Sequence, residues 1–228
     1  MGSNALGANI LKSEYLKRLS ELCKKFHVVL ILDEITTAIG RTGKYFAFQH
    51  YSKFTPDIIC ISKGLGVGYA NIGAAIVNKR IIKDLPSTGN ILGNTFNGHF
   101  IACAAALKVC DIIVENKLVD SNYKKGCYIK EKLQELKKYP IVKDIEGIGL
   151  WFSISFNDID GTNYAAEINK RNFDSGILML NSGSHDGRGY CSSHLSLAPT
   201  FLTSYEDIDK IIEVIDLSIH HLNKKEFG

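Results

Sequence analysis

The constraint that most limits this chain is the run His27-Val28-Val29-Leu30-Ile31-Leu32, which stops abruptly at Asp33-Glu34. It is short, continuous, apolar and rich in β-branched residues. That pattern predicts a strand buried on both faces, as in a parallel sheet covered by helices. Two charges at its carboxyl end fall where α/β sheets place their ligand sites. A second run, Asp57-Ile58-Ile59-Cys60-Ile61, ends in Ser62-Lys63-Gly64, and a third is Ala74-Ala75-Ile76-Val77. Gly64, Gly66, Gly68 and Gly73 lie between the last two and permit sharp turns and close backbone approach.

Helices fill the intervening sequence. Tyr15, Leu16, Leu19, Leu22 and Phe26 share one side of a helix over 15–26. Residues 99–114 read as a long apolar helix, and 118–138 as an amphipathic one. The texture then changes. Strands are expected over 142–156 and 177–181, with a helix over 163–173 between them, and Leu195-Ser196-Leu197 reads as a half-exposed strand. Thr203-Ser204-Tyr205-Glu206 reads as a capping box. It opens a final helix with Ile208, Ile211, Ile212, Ile215, Ile219 and Leu222 at helical spacing. The expected fold is therefore α/β, followed by an α+β part. The boundary is placed at residues 1–117 and 118–228.

Composition excludes several classes of partner. With 228 residues, 45% hydrophobic and 22% charged, the chain has an ordinary globular balance. Its net charge of +3 is too small and too mixed for a nucleic-acid or anionic-membrane partner. No apolar run approaches the ~20 residues that span a bilayer. No secretory signal is visible at Met1-Gly2-Ser3-Asn4. The six cysteines include no CxxC pair, so buried reduced thiols are expected rather than disulfides or a zinc site. These features together point to the cytoplasm.

Asp33 and Lys63 carry the chemistry, since each ends a separate apolar run. A lysine buried there would lose its proton readily and attack carbonyls, the requirement of Schiff-base chemistry. A nearby carboxylate suits a cationic cofactor nitrogen: at ~4 Å and an effective dielectric of about 20 the pairing is worth roughly 4 kcal/mol, or about three pKa units. The residues alone leave a structural Asp–Lys ion pair equally open.

The stretch from Leu32 through Asp33-Glu34-Ile35-Thr36-Thr37-Ala38-Ile39-Gly40-Arg41-Thr42-Gly43 to Ala47 resembles a signature of class III (omega-type) pyridoxal-phosphate aminotransferases. Four further segments resemble the family in the same order: Pro56 to Ile58 with Ser62 to Tyr69, Asn94 to His99, Gly147 to Leu150, and Leu197 to Pro199. The resemblance implies the large domain of a fold-type-I transferase followed by its C-terminal small domain. It implies that Lys63 carries pyridoxal 5'-phosphate as a Schiff base and then shuttles a proton. It implies that Asp33 pairs with the pyridine nitrogen, that Ile35 packs on the ring, and that Thr95 bonds the phosphate, usually across a homodimer. The substrates implied are an amine or ω-amino-acid donor and a 2-oxo acid acceptor such as pyruvate.

There are departures. Ala38-Ile39 replaces a glycine–phenylalanine pair, Phe100 a proline, and Glu146 an arginine; Thr36 stands where several members carry glutamine. Arg41 is expected to brace its loop. Arg188 is the candidate for binding a substrate carboxylate, against the simpler reading of a solvated loop arginine. Family members are about twice as long, so the chain reads as a C-terminal half. Rival readings are an aminomutase, racemase or decarboxylase on the same cofactor, a fragment that only pairs with another chain, and a cofactor-free binding protein.

Overall fold

A computed structural model describes residues 7–52, 54–83, 93, 95–157, 162–182 and 193–227. These form two compact units, one from residue 11 to 119 and one that joins residues 7–10 to the chain from 120 onward. Among the described residues no helix is long and apolar enough to cross a membrane.

In the first unit, α1 (Ser13–Lys25) precedes a three-stranded sheet of β1 (Ile31–Asp33), β2 (Ile58–Ile61) and β3 (Ala74–Val77), in the order β1-β2-β3. β1 and β2 are parallel, with Ile31 opposite Ile58 and Asp33 opposite Cys60. β3 runs antiparallel to β2, so the sheet is mixed. The short helix α2 (Lys79–Lys83) and the long helix α3 (Phe100–Glu115) follow. The expected helix over 99–114 is thus present, its start capped by His99, whose Nδ1 accepts the Ala102 N–H at 3.3 Å.

Two expectations fail here. Only Ile31–Asp33 of the first apolar run is strand, and it is not buried on both faces: Ile31 is 55% exposed and Val28 54%. Among the described residues β1 has a neighbour on one side only, an edge position in the sheet. The cysteines are not uniformly buried either, since Cys103 and Cys127 are exposed; Cys191 lies outside the described residues. The core of this unit is small: Ala38, Ile59, Ile61, Leu65 and Ala106, with Phe46, Phe48 and Ile72 packed against them.

The second unit has the larger core. α4 (Leu118–Gln134), whose first two residues belong to the first unit, ends in a 3-10 turn over Glu135–Lys138. β4 (Val142–Ile148), β5 (Trp151–Phe156), β6 (Leu180–Ser182) and β7 (His194–Leu197) make an antiparallel sheet in the order β4-β5-β7-β6. α5 (Tyr164–Asp174) is capped by Asn163, and α6 (Tyr205–Phe227) closes the chain. Leu133, Ile154, Leu195, Ile168, Ile215 and Ile219 are among the fully buried residues that join these elements. Each such side chain contributes about 1.5–3 kcal/mol.

β7 is buried on both faces, not half-exposed. Leu195 and Leu197 pair with Ile154 and Phe152 on the core face. Ser153 and His194 lie on the other face, which residues 7 and 8 approach, with Ala8 N–H donating to Ser153 Oγ at 3.1 Å. The capping box is one residue later than its sequence suggests. Ser204 Oγ accepts the Asp207 N–H at 3.0 Å, and the Asp207 carboxylate accepts from the Ser204 N–H at 3.3 Å.

Candidate active site

Asp33 and Lys63 meet at one end of the first unit's sheet because they terminate neighbouring parallel strands. Parallel neighbours lie ~4.8 Å apart, and Asp33 is in register with Cys60, three residues before Lys63. The lysine is not ion-paired with the aspartate among the described residues. Its Nζ donates to Thr36 Oγ1 at 3.0 Å. Asp33 Oδ1 accepts the Ile35 N–H at 3.0 Å and so closes its own turn. Both charged side chains are exposed, which corrects the expectation of a buried ammonium. Among the described residues Asp33 and Lys63 form no ion pair and are held by separate partners.

The lysine backbone is constrained even though its side chain is open. Lys63 has φ of +23°, a region that costs a non-glycine residue ~1–3 kcal/mol. The turn holds it there: Leu65 N–H donates to Ser62 O at 2.7 Å and Val67 N–H to Lys63 O at 2.9 Å. Ser62 Oγ in turn donates to Ile72 O at 2.8 Å. Gly66 is required, because a Cβ there would sit 2.1 Å from Ala70 O. α3 packs against this same turn.

The loop after Asp33 is held by its neighbour. Glu34 is buried, and its carboxylate accepts the N–H groups of Ala47 at 2.6 Å and Phe48 at 2.8 Å. Burial pushes this carboxyl above its ordinary value, against the pull of those two N–H groups. Consecutive residues at a strand end face opposite ways, so Asp33 points out to solvent while Glu34 anchors the loop from inside. That alternation was the available signal for Glu34, which sequence reading did not single out. Arg41, expected to brace its loop, is desolvated, and that burial lowers its guanidinium to about 10.

Asp57 fixes the other flank. It is 2% exposed, accepts the Leu30 N–H at 2.9 Å and is ion-paired with Arg80. Desolvation pushes its carboxyl up, but the Leu30 N–H and the Arg80 guanidinium outweigh that and hold it below the usual range. Asp57 therefore ties the start of β1 to β2.

Ile35 is half-buried beside Asp33. Thr95 is exposed in the turn that leads into α3, with no hydrogen bond to Asp33 or Lys63 among the described residues. Arg188 lies outside the described residues. The contact that sequence reading missed is Thr36 with Lys63; two hydroxyl residues three and four positions after the strand-end Asp33 were its only trace.

An amine and a carboxylate thus lie at the ends of adjacent strands of an α/β scaffold. Residues 3–219 match the family Aminotransferase class-III, and the chain belongs to that family. It is 33% identical over 213 residues to the acetylornithine aminotransferase of Clostridium acetobutylicum, covering 91% of this chain and 50% of that one. It is 35% identical over 215 residues to that of Methanocaldococcus jannaschii, covering 92% and 49%. The solved S-selective transaminase from an Arthrobacter species, with alanine bound, superposes with a TM-score of 0.84 at 26% identity, covering 95% of this chain and 49% of the other. The chain thus spans about half the length of the curated relatives it matches. Its architecture is that of a fold-type-I transferase, of which this chain carries a part.

Proposed function

We propose that this chain supplies the lysine-bearing part of a pyridoxal-phosphate-dependent transaminase. The observation that carries the reading is the pair of strand ends: Asp33 and Lys63 lie at the same end of two neighbouring parallel strands and are not ion-paired with each other. The donor set fits the cofactor in kind, with a primary amine for its aldehyde, a carboxylate for its ring nitrogen, and an apolar Ile35 beside them. In this reading the first unit is part of the cofactor-binding large domain and the second is the small domain.

Pyridoxal phosphate, when bound, supplies an aldehyde that condenses with amines and a protonated ring that withdraws electrons from the carbon losing its proton. Lys63 is the residue that would hold the cofactor, its Nζ being the amine placed to meet the aldehyde. Freed, the same Nζ is a base already in place to move a proton at the substrate carbon. Asp33 would keep the proton on the pyridine nitrogen, Ile35 would bear on the ring, and Thr95 would hold the phosphate of the cofactor bound by a second subunit of a homodimer. The donor is an amine or ω-amino acid and the acceptor a 2-oxo acid such as pyruvate. The alanine bound in the Arthrobacter transaminase supports that acceptor, since pyruvate is its keto acid.

The test is to incubate the protein with pyridoxal phosphate, reduce with borohydride and map the peptides. A pyridoxyl group on Lys63 is the expected result. A label confined to other lysines ends the assignment.

A further inference from the structure

We propose that Thr36 is a positioning residue for Lys63, holding the amine in the state in which it carries nothing. The proposal rests on the reading of Lys63 given above and adds to it the group that aims the lysine.

A lysine at an exposed edge has a flexible four-carbon stem, and nothing in its backbone position decides where the nitrogen sits. Here one contact does, the bond from Nζ to Thr36 Oγ1 at 3.0 Å. The acceptor is itself fixed. Thr36 is β-branched and so stiff at χ1. It sits in a turn closed by Thr37 N–H to Glu34 O at 3.2 Å and Ala38 N–H to Glu34 O at 3.0 Å. The buried Glu34 carboxylate then ties that turn to Ala47 and Phe48. A run of short contacts therefore leads from buried backbone to the lysine nitrogen.

The direction of the bond matters. Nζ donates, so the hydroxyl takes up one N–H of the lysine and sets where the nitrogen sits. A carboxylate in the same place would hold the charged ammonium instead. A hydroxyl orients the nitrogen without fixing its charge, which suits a group that must act first as nucleophile and then as base.

The test uses the full 228-residue chain with pyridoxal phosphate as the carbonyl probe, reduction with borohydride, and quantification of pyridoxyl on each lysine peptide. Exposed Lys17 and Lys108 serve as internal standards. Lys63 labelling relative to the standards should fall about fivefold in Thr36→Val, the scale of one lost hydrogen bond to a charged or polar partner. It should be restored in Thr36→Ser. If circular dichroism shows Thr36→Val to be unfolded, Thr36→Ala against Thr36→Ser carries the same comparison. Equal Lys63 labelling in chains with and without the hydroxyl overturns the role of Thr36. A wild-type chain labelled at the standards but not at Lys63 overturns the functional reading, and this proposal with it.

Discussion

The Lys63 amine is bonded to the Thr36 hydroxyl at 3.0 Å, although Asp33 ends the neighbouring strand of the same sheet. The two charges that would most readily neutralise one another are kept to separate partners. A carboxylate spent on a lysine could not serve a cofactor nitrogen, and this arrangement leaves Asp33 free to do so.

Asp33→Asn should therefore cost activity far more than stability. The side chain is exposed and its described bond is the local one from Ile35 N–H. The proposed pairing with a ring cation would be worth roughly 4 kcal/mol at ~4 Å, which corresponds to about a thousandfold in the rate of proton removal. The measurement is single-turnover loss of the substrate proton in the assembled enzyme, with a urea melt as control. A loss under tenfold would remove Asp33 from the pyridine nitrogen.

Asp57 gives the first unit a pH dependence of defined sign. Its carboxyl is held below the ordinary value, so the folded state binds its proton less readily than the unfolded chain. The stabilisation is complete above the unfolded value of about 3.9 and is lost as pH falls through the lower folded value. Asp57→Asn should flatten the fall in stability below about pH 4 and lower stability at neutral pH by about 2 kcal/mol, because the Leu30 N–H and Arg80 lose a charged acceptor. Urea unfolding followed from pH 3 to 7 checks both; an unchanged acid limb would show that the ion pair does not set it.

Much of this was legible in the sequence, and the failures share a cause. Asp33 and Lys63 were found because apolar runs that stop at charges mark strand ends, and the parallel pairing of Ile31 with Ile58 places them side by side. The burial of β1 was misread because an apolar run reports what a strand prefers to contact, not which neighbours it has. The same gap explains β7: Leu195-Ser196-Leu197 alternates, but residues 7 and 8 come from far along the chain to approach its second face, and no local pattern announces that. The Thr36 contact was hidden because it joins two turns whose separation is set by strand register.

Gly126 tests the packing of the second unit. In a helix interior, glycine to alanine ordinarily gains about 1 kcal/mol. Here a Cβ would sit 2.4 Å from Gly149 O and 2.5 Å from Gly149 Cα, and backbone gives way less easily than a side chain. Overpacking of that kind costs about 1–3 kcal/mol and should win. Gly126→Ala is expected to lower the denaturation midpoint. A raised midpoint would mean that α4 does not approach the β4–β5 turn this closely.

The 228-residue chain alone should not turn over. Lys63, Asp33 and Thr95 are all exposed, so a cofactor held by them would be open to water and free to tilt. Orientation is worth about 7–11 kcal/mol of a barrier, and a partly held cofactor forfeits most of it. The unit also leaves apolar side chains uncovered along α3, among them Phe100 at 77% and Leu107 at 64% exposure, which favours association with further protein. The check is to add pyridoxal phosphate, an amine donor and pyruvate to the purified chain and follow alanine. Formation at ~10 per second, ordinary for an enzyme, would show that these two units build a complete site unaided; formation that begins only when a chain supplying the rest of the relatives' length is added would locate the missing cover there.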